Sequence, residues 1–204
     1  MHGFEAAGGF DGLAPHDLER YAWSLLWTGP PAATCLDAFE RAEDAHRRAG
    51  DGRGTARAAL EQARMHSLLG NDIVATSCWI RAIEELGDDH ACPEYGLAHA
   101  LAAYARLIDG AFDEVTAPAR VALRVAQELG EPTVEAMTTY VLGQQRLVDG
   151  TAAEGMELLD RSISIALHDD VHPMYAGIVY CGVLWACRLV CDWDRASEWH
   201  DSAS

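Results

Sequence analysis

A phrase ending in glycine recurs about every forty residues along this chain, at Gly29, Gly70, Gly110 and Gly150, with Cys191 in the fifth place. The steps between marks are 41, 40, 40 and 41 residues. Each mark follows an apolar stretch and precedes a second stretch of helical character, the pattern of stacked helical hairpins. In such an array each unit buries its apolar face mainly on its neighbours. What remains on the surface is mostly a place to bind something.

The repeats agree in detail. With the mark counted as position 15 of a hairpin, position 8 is Ala22, Ala63, Ala103, Gly143 and Leu184. Position 20 is Thr34, Ala75, Val115, Gly155 and Ala196. Compact residues there let antiparallel helices approach closely, and glycine at the mark suits a left-handed helix C-cap. Arg106-Leu107-Ile108-Asp109-Gly110 is echoed by Arg146-Leu147-Val148-Asp149-Gly150. Val115, Ala119 and Ala122, then Met156, Leu159 and Ile163, form apolar stripes at helical spacing. Gly50-Asp51-Gly52, Gly87-Asp88-Asp89, Gly130-Glu131-Pro132 and Asp169-Asp170 punctuate the chain between hairpins.

No alternating strand pattern appears, so the expectation is all-α. A Gly/Ala-rich flexible tail is expected over residues 1–13 and a repeat domain over 14–204. The last hairpin opens at Pro173, turns at Cys191-Asp192-Trp193 and stops at Ser204. It reads as truncated, and its apolar edge suits a homodimer.

Charge narrows the partners. Fifteen Lys and Arg against 32 Asp and Glu give a formal net charge of −17, which repels phosphate backbones and excludes direct nucleic-acid binding by this segment. The longest apolar run, Ile178 to Val190, is broken by Arg188 and is too short to span a membrane. The N-terminus lacks a basic stretch before a hydrophobic run, so it does not read as a signal peptide. Six cysteines without paired CxxC spacing suit a reducing cytoplasm.

Leu142-Gly143, Leu147, Gly150 and Gly155 resemble the tetratricopeptide (TPR) pattern. The period is longer than the roughly 34 residues of that unit, and the aromatic expected near position 4 appears only as Tyr180. Asp17-Leu18-Glu19-Arg20 leading to Trp27-Thr28-Gly29, Ala153-Glu154-Gly155-Met156 and Asp194-Arg195-Ala196-Ser197-Glu198-Trp199 deepen the likeness. Such repeats are similar to the sensor region of large bacterial LuxR-type transcription regulators of the MalT-like class. The resemblance implies a right-handed superhelical solenoid of about five TPR-like hairpins. It also implies a regulatory role exercised through an effector domain that is not part of this sequence. There is no GxxxxGK[ST] phosphate loop and no basic recognition helix.

In TPR-like hairpins the first helix lines the concave surface. Those positions deliver Trp23, Trp27 and Arg64, with Glu61 nearby, then Tyr104, Tyr140 and Gln144, then Cys181, Trp185 and Arg188. Aromatics, arginines and an amide suit a groove for a peptide, a protein or a small effector. The same aromatics also suit packing between repeats. His168 and His172 stand four apart, as in zinc-binding helices, but run into Pro173 and read as a loop. Cys181, Cys187 and Cys191 read as structural thiols, and His66 and His99 as partly buried packing residues. Glu40, Glu43 and Asp44 read as a solvated face, with Arg47 and Arg48 in i,i+4 pairing.

No spacing matches a catalytic set, a metal site or a cofactor motif. The favoured expectation is a non-catalytic module that binds a protein, peptide or small ligand. The alternative is a small-molecule carrier or enzyme using the concave face as a pocket.

Overall fold

Proline opens four of the helices. Pro15, Pro93, Pro132 and Pro173 stand at the first helical turn, where the missing N–H costs nothing and the fixed φ is already helical. The computed structural model describes residues 13–202, so the expected tail lies almost wholly outside the described residues. Among those described there are ten α-helices, one 3-10 turn (Phe112–Glu114) and no strand. The all-helical expectation holds. No helix among them is long and apolar enough to cross a membrane.

The chain forms two compact units, Met1–Asp89 and His90–Ser204. The first contains α1 (Pro15–Thr28), α2 (Ala32–Ala49), α3 (Gly52–Leu68) and α4 (Asp72–Leu86). Here α1 packs on α2, α2 on α3, and α3 on α4. Ala22, Leu25, Cys35, Ala38, Phe39 and Met65 form one apolar cluster, and Leu18, Ala42, Ala45 and Ala58 a second. Burying a side chain as large as Phe39 is worth about 1.5–3 kcal/mol.

The second unit contains α5 (Pro93–Ile108), α6 (Thr116–Leu129), α7 (Pro132–Val148), α8 (Ala152–Ala166), α9 (Pro173–Leu189) and α10 (Trp193–Ser202). Helix α7 is central and touches α5, α6, α8 and α9. Its Val134, Met137 and Val141 are accordingly buried. Where α7 meets α8 the backbones nearly touch. A Cβ added to Gly143 would lie 3.1 Å from the Gly155 carbonyl oxygen, and one added to Gly155 would lie 2.9 Å from that of Gly143. The compact residues of the repeat pattern are therefore what bring these two helices together.

The recurring mark has a backbone explanation. Gly29, Gly70, Gly110 and Gly150 have φ of 68°, 73°, 76° and 81°, the left-handed turn that ends a helix at little cost only for glycine. At the fifth mark Cys191 adopts the same turn with φ 59°, the one non-glycine residue at positive φ among those described.

Candidate functional site

The first unit is laced by arginine–carboxylate pairs that reach between helices. All 15 cationic side chains of the protein are arginine; there is no lysine. Glu19 on α1 is buried, and Arg57 on α3 donates to both its oxygens at 2.6 and 2.8 Å. His46 of α2 adds a third contact, Nε2 to Glu19 Oε2 at 3.1 Å. Burial opposes ionisation of Glu19, but Arg57 and His46 outweigh it and hold the carboxyl below the usual range.

On its other side His46 Nδ1 lies 2.8 Å from Asp51 Oδ2. Asp51 caps α3 by accepting from the Gly54 N–H at 2.9 Å, and that bond, aided by His46, lowers its pKa despite some burial. The pocket around the ring is tight, because a Cβ on Gly54 would overlap His46 Nδ1 and Asp51 Oδ2.

A second hub centres on Glu43 of α2. Arg81 of α4 donates to both its oxygens at 2.8 and 3.0 Å, and Gln62 of α3 donates at 2.6 Å. Arg47 donates to it from the same helix and reaches Glu85 of α4 at 3.1 Å. Glu43 is thus buried, not part of a solvated face, whereas Glu40 and Asp44 are exposed as expected. Burial raises its pKa, but the three donors reverse that and leave it lowered. The i,i+4 pairing holds for Arg47 with Glu43; Arg48 instead donates to the Asp44 carbonyl oxygen at 3.1 Å.

The groove residues expected in this unit occupy contrasting environments. Trp23 is half-buried and stands edge-on to Phe39, ring centroids 5.5 Å apart. Trp27, one turn further along α1, is 62% exposed. Glu61 and Arg64 are both buried in α3, where Arg64 Nε donates to Glu61 Oε2 at 2.8 Å.

In the second unit α5, α7 and α9 bring Tyr104, Tyr140 and Gln144 together. The Tyr104 and Tyr140 rings lie 6.2 Å apart and tilted by 50°. Tyr140 is buried, and burial, reinforced by Tyr104, keeps its hydroxyl protonated well past the usual phenol range. Its ring lies over Gly182 of α9, where an added Cβ would overlap the Tyr140 ring and hydroxyl. Beside it Gln144 Nε2 donates to the Gly182 carbonyl oxygen at 3.1 Å. Trp185, 52% exposed, and Arg188 lie further along α9, the guanidinium carbon 5.1 Å from the ring centroid. Of the groove candidates, only Trp27, Cys181, Trp185 and Arg188 are exposed.

His168 lies exposed in the turn before α9, and His172 caps that helix, accepting from the Met174 N–H at 3.3 Å. Thr133 Oγ1 in turn accepts from the His172 N–H at 3.1 Å. Among the described residues no three His, Cys, Asp or Glu side chains gather in a metal-sized cluster. Cys187 is buried, and burial raises its pKa; Cys181 and Cys191 are exposed. His200 Nδ1 meets the Tyr180 hydroxyl at 3.0 Å. His99, half-buried beside Tyr95, has its pKa lowered by burial and by the nearby charges of His90 and Arg124.

Glu19, His46, Asp51, Arg57, Gln62 and Arg81 were not among the candidate site residues read from the sequence. One signal was available: Glu19 with Arg57, and Glu43 with Arg81, are each separated by 38 positions, close to the repeat step. Both oxygens of each of these two glutamates are occupied by donors, an arrangement that fixes helices and leaves neither of the two open for proton transfer. The solvent-facing chemistry in the second unit is instead the Trp185–Arg188 pair. No family model matches the chain, and no curated protein matches it.

Proposed function

We propose that the chain is a non-catalytic binding module of a cytoplasmic regulatory protein. On this reading its hairpins continue one another as a right-handed, TPR-like solenoid, of the kind found in the sensor region of LuxR-type, MalT-like regulators. It takes a protein, peptide or small effector and passes the event to an effector domain. The observation that carries the reading is the exposed Trp185 ring with Arg188 over it. A flat apolar face beside a fixed guanidinium suits an extended peptide or another helix, giving contact area and a charge-assisted hydrogen bond together. The saturated carboxylates of the first unit favour scaffolding over catalysis.

Binding along such a face would bridge neighbouring helices and shift the population among arrangements of the array. The test is selection from a displayed random-peptide library, followed by affinity measurement on Trp185→Ala and Arg188→Ala. Enriched peptides should bind the wild type and lose at least about tenfold on Trp185→Ala, about 1.4 kcal/mol. Selected peptides that bind both variants unchanged would remove the reading. Identical hydrogen exchange and scattering with and without bound peptide would remove its transmission step.

A further inference from the structure

Helix α9 is covered on the sides that meet α7, α8 and α10. Its remaining side carries Gly177, Cys181, Trp185 and Leu189, four residues apart in succession, hence stacked on one face. All four are exposed, Leu189 by 60%. Within the second unit, helices meet by setting a large side chain against a glycine. Leu159 covers Gly143, Leu147 covers Gly155, and Tyr140 covers Gly182. The open face of α9 holds both halves of that arrangement. Trp185 is the large side chain, and Gly177 is the vacant seat, with nothing within 4 Å of where its Cβ would be.

We propose that this face docks antiparallel on the same face of a second copy of the chain, about a two-fold axis beside Cys181. Gly177 and Trp185 are equidistant in sequence from Cys181. An antiparallel pair therefore sets each Trp185 on the other copy's Gly177, twice over, as an isologous contact requires. A parallel pair would oppose tryptophan to tryptophan and glycine to glycine. Charge agrees as well. The chain as a whole is strongly acidic, but this face has no carboxylate of its own. Its Arg188 is carried towards the exposed Asp169-Asp170 turn that precedes the other copy's α9. One helix pair is a small interface, so the dimer forms reversibly with concentration. The proposal rests on the binding reading above and names the partner of that face.

The experiment is sedimentation velocity of the full chain over a concentration series under reducing conditions, followed by diamide oxidation. Two Cys181 thiols become one disulfide, and diamide takes up the two hydrogens. Cysteine chemistry is the suitable cross-link because the protein has no lysine. The wild type should dimerise and cross-link. Gly177→Leu, which fills the seat on an exposed helical position and improves helix propensity, should stay monomeric with its melting temperature kept or raised. Cys181→Ser should dimerise without cross-linking, and Cys191→Ser should do both. A wild type that stays monomeric to about tenfold above the concentrations of ordinary micromolar complexes would overturn the proposal. So would a dimer indifferent to Gly177→Leu, or a cross-link that survives Cys181→Ser. A monomer whose selected peptides still weaken on Trp185→Ala would sink the dimer and leave the binding module standing.

Discussion

Glu19 and Arg57 meet across 38 positions of sequence in a two-pronged ion pair with distances of 2.6 and 2.8 Å. The carboxylate is buried while the guanidinium keeps about a third of its side chain exposed (5% and 32%). Such a pair is asymmetric in energy. Removing both members leaves a hole in good repair, but removing one strands a charge.

Arg57→Met alone should therefore cost about 3 kcal/mol, and the double change Glu19→Leu with Arg57→Met distinctly less. Urea unfolding of the four variants in a double-mutant cycle measures this. Equal costs for the single and the double change would show that the pair is not the source of the loss.

Acid should loosen the first unit. Glu19, Glu43 and Asp51 all have folded pKa values below their ordinary ones. The unfolded chain then takes up protons first, so the stability these groups contribute is complete above about pH 4.3. It declines as pH falls from there through the folded values. Tryptophan fluorescence and hydrogen exchange of α1–α4 between pH 6 and pH 2 would follow it. Protection that stayed flat across that window would contradict the assignment.

Two glycines five residues apart on α9 should answer the same substitution oppositely. Gly182→Ala forces a methyl into the Tyr140 ring and should cost about 1–3 kcal/mol. Gly177→Ala meets open space and should gain about 0.5–1 kcal/mol from helix propensity. Melting temperatures of the two variants give the signs directly, and a matching sign would mean the α7–α9 contact is looser than the geometry here.

At the fifth mark, Cys191→Gly should stabilise the second unit by about 1 kcal/mol, since a side chain at φ 59° is strained. Cys191→Ala, keeping the Cβ, should gain nothing comparable. The thermal shift of the two variants, measured with reductant present, separates relief of the backbone from loss of the thiol.

These residues also mark what could be read without coordinates. The glycine marks were legible because few residues tolerate a left-handed turn, so the requirement is written in residue type. The helix start at Pro173 was legible for a similar reason, and Pro132 marked the break before another. Glu43 was misread because its sequence neighbours, Asp44 and Arg47, belong on a wet surface. Its burial comes from Gln62 and Arg81 on other helices. Trp23 and Trp27 sit one turn apart with the same side chain, yet one faces Phe39 and the other solvent. Periodicity places both near one face, but only the position of α2 decides which is covered. Gln144 looked like a groove residue, and its bond to Gly182 became visible only once α7 lay beside α9.

Glu43 has a consequence for how the first unit comes apart. One carboxylate is held jointly by α2, α3 and α4, so peeling α4 away strips it of the two-pronged Arg81 and leaves the buried charge to Gln62 and to Arg47 of its own helix. Helix α4 therefore cannot melt cheaply as a prelude, and a chain nicked in the turn between α3 and α4 should stay assembled as though uncut.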